Sequence, residues 1–164
     1  MVDDVVRTLG FLCMGSRFRR IGERLQADTQ QIIEEYGVAI QAAQYPFLAA
    51  LDRAGPLTIG ELAQAVGIKQ PGATRTVSQL LELGLVDRQA APDDQRRRLI
   101  SLAQKGQELV EYSKRAIWPR IAAAVADLCS GQNGPILEQL AAIEEGLATA
   151  PLARRGNRVP EETT

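Results

Sequence analysis

The sequence predicts a mainly α-helical fold with one small antiparallel β-hairpin, and three observations lead there. Apolar residues recur at three- and four-residue spacing along most of the chain. The hydrophobic content of 45% is largely Ala, Leu, Ile and Val, with aromatics at only 4%, a composition that favours helices. Strand-like composition is confined to one stretch, residues 85–102. The 164 residues suit one domain or a domain with long arms.

The elements follow in order. From Asp3 to Glu35 the pattern Val5, Val6, Leu9, Leu12, Cys13, Ile21, Leu25, Ile32, Ile33 predicts one long amphipathic helix ended by Gly37. Gln41 to Arg53 predicts a second, with Pro46 in its first turns, and Ala54-Gly55-Pro56 is a turn. Thr58 is an N-cap for a short helix through Val66, whose Ile59, Leu62, Ala63 and Val66 share one face. Gly67 ends that helix, since glycine takes the left-handed conformation without a Cβ clash, and Ile68 is placed to plug the joint with the next.

The next helix begins near Gln70, with Pro71 at the first helical position, where a missing N–H costs nothing. Ala73, Val77, Leu80 and Leu81 form its inward stripe and Gly84 closes it. Leu85–Ala90 and Arg98–Leu102 are the strands of the hairpin, and Ala91-Pro-Asp-Asp-Gln-Arg-Arg97 is the turn between them. Gln104 to Leu128 is a third long helical pattern. Pro119 interrupts it, so a kink is expected near Arg115 to Trp118. Ser130 to Pro135 is a break, a last helix follows, and residues 151–164 read as disordered or extended.

Two helices joined by a glycine turn and followed by a two-stranded ribbon make a winged helix-turn-helix, an architecture suited to reading DNA. The outward face of the second helix carries Gln70, Gly72, Thr74, Arg75, Ser78 and Gln79. A helix entering a major groove must bring its backbone near the base edges, and small polar groups allow that approach. Gln and Arg can make bidentate contacts to purine edges, while Thr and Ser can meet bases or phosphates. The ribbon tip carries Arg96 and Arg97, suited to the negative potential of a narrow minor groove, and Asp94 is spaced to aim Arg96 by a charge-assisted pair.

Net charge is −1, yet the basic residues Lys69, Arg75, Arg88, Arg96, Arg97 and Arg98 gather on the proposed DNA face while acids cluster elsewhere. Local field rather than total charge sets phosphate attraction within a Debye length of ~8 Å. Thr58, Lys69 and Arg88 complete the candidate DNA-binding set. Histidine is absent, which removes Ser/His and Cys/His catalysis and most zinc sites. Cys13 and Cys129 make no disulfide framework and have no metal-ligand spacing, and Cys13 reads as a buried apolar residue. No enzyme, cofactor or metal is expected. No apolar run approaches a membrane span, and Asp3 and Asp4 stand in place of a basic leader, so the expected location is cytoplasmic.

The chain resembles the MarR-type winged-helix transcriptional regulators. The likeness rests on Leu57-Thr-Ile-Gly-Glu-Leu-Ala63, Gly67-Ile-Lys-Gln-Pro-Gly-Ala-Thr-Arg-Thr-Val77, Leu80-Leu-Glu-Leu-Gly-Leu-Val-Asp-Arg88 and, most specifically, Asp93-Asp-Gln-Arg96 followed by Leu99-Ile-Ser-Leu102. Ala103 departs from the pattern where the family has a capping Thr, and Lys69 where a Ser often caps the reading helix.

Long helices with a continuing apolar stripe must bury it, and the simplest partner is an identical chain. The expected division is an N-terminal dimerisation helix over 1–36, a winged DNA-binding unit over 37–103, C-terminal dimerisation helices over 104–150 and a tail over 151–164. The resemblance implies a homodimer on double-stranded DNA with a pseudo-palindromic site, usually repressing and released by a small aromatic or phenolic effector. In relatives such effectors lie between the dimer helices and the winged unit. Arg17, Tyr36, Tyr45 and Phe47 are available to line that space and read equally as ordinary core and surface. A winged helix serving protein assembly without DNA is the competing expectation, and it predicts an apolar outward face on the second helix.

Overall fold

The structure, a computed structural model, describes residues 2–91, 96–150 and 152. The Asp94 position, the tip of the hairpin turn and nearly all of the 151–164 tail lie outside the described residues. Two compact units emerge, residues 1–122 and residues 123–164.

In the first unit the expected single N-terminal helix is broken. Helix α1 spans Val5–Thr8, a 3-10 turn spans Gly10–Cys13, and α2 runs Met14–Glu35. Gly10 has φ +54°, a left-handed value that no continuous right-handed helix contains, and the apolar spacing alone does not reveal that break. Cys13 sits half-buried before the first turn of α2, so in the single chain it is not the buried residue expected. A 3-10 turn over Ala42–Gln44 leads into α3, Tyr45–Ala54, with Pro46 in its first turn.

Helix α4 (Ile59–Val66) and helix α5 (Gln70–Glu82) follow. Gly67 is left-handed, and the Gly67 and Ile68 amides donate back to the Gln64 and Ala63 carbonyls, closing the helix end. Gly84 repeats the device on α5, with the Gly84 and Leu85 amides donating to Leu81 and Leu80. Gln70 rather than Pro71 takes the first helical position.

Strands β1 (Val86–Ala90) and β2 (Arg98–Leu102) pair antiparallel with Val86 opposite Leu102 and Ala90 opposite Arg98. β1 starts one residue later than expected. On its other side β2 is bridged by Leu57, which exchanges two backbone hydrogen bonds with Ile100 at 3.0 and 2.7 Å. That bridge pins the entry of α4 to the ribbon.

Helix α6 spans Gln104–Tyr112, and α7 spans Trp118–Leu128. The expected interruption before Pro119 is a π-helical turn over Ser113–Ile117. A widened turn removes the hydrogen bond that proline cannot make and gives its ring room against the preceding turn. Gly106 is buried on α6, and the Leu85 carbonyl fills the space a Cβ there would need. Ile33, Phe47, Leu48, Leu62, Ala73, Val77, Leu80, Ile100, Val110 and Ile117 form the core that fixes α4, α5 and the ribbon as one body.

The second unit contains α8, Ile136–Thr149, preceded by left-handed Gly131 and Gly134. Among the described residues no helix is long and apolar enough to cross a membrane.

Candidate nucleic-acid interface

The site is built from α4 outward. Thr58 accepts the Glu61 amide at 3.2 Å, while Glu61 accepts the Thr58 amide at 2.7 Å and its hydroxyl at 2.8 Å, a reciprocal cap that starts α4. These bonds hold the Glu61 carboxyl below the usual carboxylate range, with the Thr58 amide the largest cause and the Arg97 guanidinium a smaller one. The Thr58 hydroxyl is therefore committed to the cap in the free protein.

Helix α5 buries Ala73, Val77 and Leu80 completely, and this orients the opposite face. Gln70, Pro71, Gly72, Thr74 and Arg75 are exposed there, with Lys69 just before them. Thr74 donates to the Gln70 carbonyl at 3.0 Å and Ser78 to the Thr74 carbonyl at 3.0 Å. Both hydroxyls remain able to accept, and must release a backbone carbonyl before donating to a phosphate or base. Ile68 does not plug the helix joint: it is 41% exposed and lies over the first turn of α5, where a Cβ on Gly72 would meet its Cδ1 at 3.5 Å.

Gln79 parts company with the other outward residues. It is half-buried, and its side-chain oxygen accepts from Gln44 at 3.3 Å, so it faces the α2–α3 junction. Gln44 is itself buried and caps the 3-10 turn through the Gln41 amide at 2.9 Å.

On the ribbon Arg88, Arg96, Arg97 and Arg98 are all exposed. Arg97 does not stand free beside Arg96. Its guanidinium donates to Glu61 at 3.1 Å, which ties the end of the turn to the first turn of α4. The Lys105 ammonium donates to the Leu83 carbonyl at 2.9 Å and closes the C-terminal end of α5, a contact the sequence reading missed.

The four residues proposed for an effector do not share one space. Phe47 is 1% exposed in the core, and Tyr45 is buried with its hydroxyl 3.0 Å from that of Ser113. Burial pushes the Tyr45 phenol up from its ordinary value, opposed by the Ser113 bond. Tyr36 packs edge-on to Tyr112, with ring centres 6.4 Å apart. Arg17 lies about 28 Å up the helix axis from Tyr36, at 1.5 Å per residue. Tyr45 does border an apolar cleft of about 310 Å³ with Thr29, Pro46, Ala49, Trp118 and Ile121. The sequence reading missed Trp118, whose ring meets Tyr45 edge to face at 5.8 Å.

Residues 37–97, from the end of α2 through the hairpin turn, match the MarR family. A relative in Mycobacterium leprae, an HTH-type transcriptional regulator, is 36% identical over 77 residues, 47% of this chain and 54% of its own. The chain thus spans about half the length of that relative. Among solved structures, Bordetella bronchiseptica BpsR, described with regulation of its DNA binding by 6-hydroxynicotinic acid, aligns with a TM-score of 0.68. It is 24% identical over 84% of this chain and 94% of its own. A MarR mutant from E. coli complexed with operator DNA aligns with a TM-score of 0.68 at 19% identity, over 90% of this chain and 98% of its own. Both share the winged fold described above. Over the region that builds the two helices and the first strand of the ribbon, the chain is similar to the MarR family.

Proposed function

We propose that the protein is a DNA-binding transcriptional regulator acting as a homodimer. The observation that carries this reading is the pairing, on one rigid winged unit, of a polar exposed α5 face with an arginine-bearing ribbon. Arg75 and Gln70 take base readout, Thr74 and Ser78 bases or phosphates, Lys69 and Arg88 phosphates, and Arg96 the minor groove. The outward face of α5 from Gln70 to Ser78 presents no large apolar side chain, while Leu81 and Leu83 are half-buried against the core, and this favours DNA over a protein partner.

Dimerisation buries side chains that a single chain leaves in water. Phe11 is 92% exposed and Leu12 81% at the N-terminal end, and Leu137 is 77% exposed on α8. A twofold pair sets its reading helices about one duplex turn, ~34 Å, apart on a pseudo-palindromic site. Such a dimer represses by occupying promoter DNA and is released by a small aromatic effector. The E. coli relative's operator complex and the hydroxynicotinic acid of BpsR support this reading. The apolar Tyr45–Trp118 cleft has room for one such ring.

Gel-shift titration with the promoter DNA beside the protein's own reading frame tests the reading. Wild type should bind as two chains per site. Arg75→Ala should weaken binding by about 1–3 kcal/mol with relaxed sequence preference, and Arg96→Ala should weaken it too. A protein that stays a single chain in solution and ignores every promoter duplex overturns the proposal.

A further inference from the structure

We infer that Glu61 sets the affinity of the DNA interface by competing with phosphate for the wing residue Arg97. The inference rests on the DNA-binding reading above and adds a residue that opposes it. Glu61 presents its carboxylate to three donors at once: the Thr58 amide at 2.7 Å, the Thr58 hydroxyl at 2.8 Å and the Arg97 guanidinium at 3.1 Å. Backbone N–H, hydroxyl and guanidinium are the donors that proteins commonly turn toward a DNA phosphate. The carboxylate therefore takes up the kinds of donor that a backbone phosphate would otherwise engage.

The pair is built to exchange. Both side chains are 44% exposed, and an exposed ion pair is weak, so a duplex phosphate can take the guanidinium over. While Arg97 stays with Glu61 its charge is neutralised and releases no counterion on binding. Non-specific DNA, held by phosphate contacts alone, gains least from a neutralised arginine. Glu61 thus restrains loose binding more than docking at a matched site.

The decisive experiment is a double-mutant cycle with Glu61→Gln and Arg97→Gln. Gln at this position preserves the reciprocal cap on Thr58 while removing the charge, so folding is retained, and a melting curve for each variant checks it. Binding is measured against salt on the promoter duplex beside the reading frame and on a random-sequence duplex.

Glu61→Gln should tighten binding by about two- to fivefold, the equivalent of an exposed ion pair, more on the random duplex than on the promoter. It should steepen the salt slope by about one. Arg97→Gln should cost little in wild type and should abolish the gain in the Glu61→Gln background. A gain of equal size with and without Arg97 would show only the field of a lost negative charge and overturn the inference alone. Failure of the wild type to bind any duplex would remove the DNA-binding reading, and this inference with it.

Discussion

The Tyr45 and Ser113 hydroxyls meet at 3.0 Å in the core, and Ser113 is the first residue of the π-helical turn that precedes Pro119. Both residues are almost completely buried, so each hydroxyl depends on the other for its partner across α3 and the α6–α7 junction. Removing one leaves a buried polar group unpaired, which costs about 1–3 kcal/mol, whereas removing both can be nearly neutral. Tyr45→Phe and Ser113→Ala should each lower thermal stability, and the double variant should lose less than their sum. Additive losses in thermal melts would show that the two hydroxyls are not coupled.

Gly106 answers to a different constraint, because its neighbour is backbone. The Leu85 carbonyl accepts the Ala103 amide at 3.0 Å and occupies the space a Cβ on Gly106 would need. Alanine normally stabilises a helix over glycine by roughly 0.5–1 kcal/mol. Gly106→Ala should reverse that sign and destabilise by about 1–3 kcal/mol, as overpacking does. Gly60→Ala on α4, where the nearest atom is Thr58 Oγ1 at 3.9 Å, should follow the normal sign. Chemical denaturation of the two variants measures both.

Glycines and prolines made much of this architecture readable in the sequence, because each acts within a few residues. Gly67 and Gly84 end their helices as read, Pro119 marks the interruption, and β2 occupies Arg98–Leu102 as expected. Gly10 was equally local, yet the apolar spacing runs through it, and an amphipathic pattern does not register a single left-handed residue. The polar pairs were invisible for another reason. Glu61 and Arg97 lie 36 residues apart and Gln44 and Gln79 lie 35 apart, so only the packed fold brings them together. Leu57 bridges Ile100 as one isolated residue, too short for any period. The outward face of α5 was legible as composition, but the turn of Gln79 toward Gln44 was not.

Acid should expose the work of Glu61. Its folded-state pKa is lowered from 4.5, chiefly by the Thr58 amide and hydroxyl and further by Arg97. The unfolded chain therefore binds the proton first as pH falls. The stability this group supplies is present above about pH 4.5 and is lost as pH drops through the lowered folded value. Asp4, lowered by its hydrogen bond from Arg20, acts in the same direction, so wild type alone does not separate the two. Melting temperature followed from about pH 6 to pH 3 should fall less for Glu61→Gln than for wild type. Parallel curves would mean that the carboxylate is not held as described.

Three helix starts share one extended backbone geometry and differ in their caps. Thr58 (φ −72°, ψ 162°) is capped by its side chain, whereas Lys69 (φ −72°, ψ 145°) and Ala103 (φ −71°, ψ 166°) make no side-chain cap. A hydroxyl at either position can reach a free amide of the first turn, worth about 0.5–2 kcal/mol. Ala103→Ser should therefore raise the melting temperature by roughly 2–4 °C per kcal/mol and leave DNA binding unchanged. Lys69→Ser should raise it similarly, but it also removes an exposed cation ahead of the reading helix, so DNA affinity should fall almost uniformly across sequences and the salt slope by about one. Opposite movement of stability and affinity in this one variant would mark Lys69 as a position where a capping hydroxyl gives way to a phosphate contact. A Lys69→Ser protein that gains stability and binds DNA with an unchanged salt slope would place that lysine outside the interface.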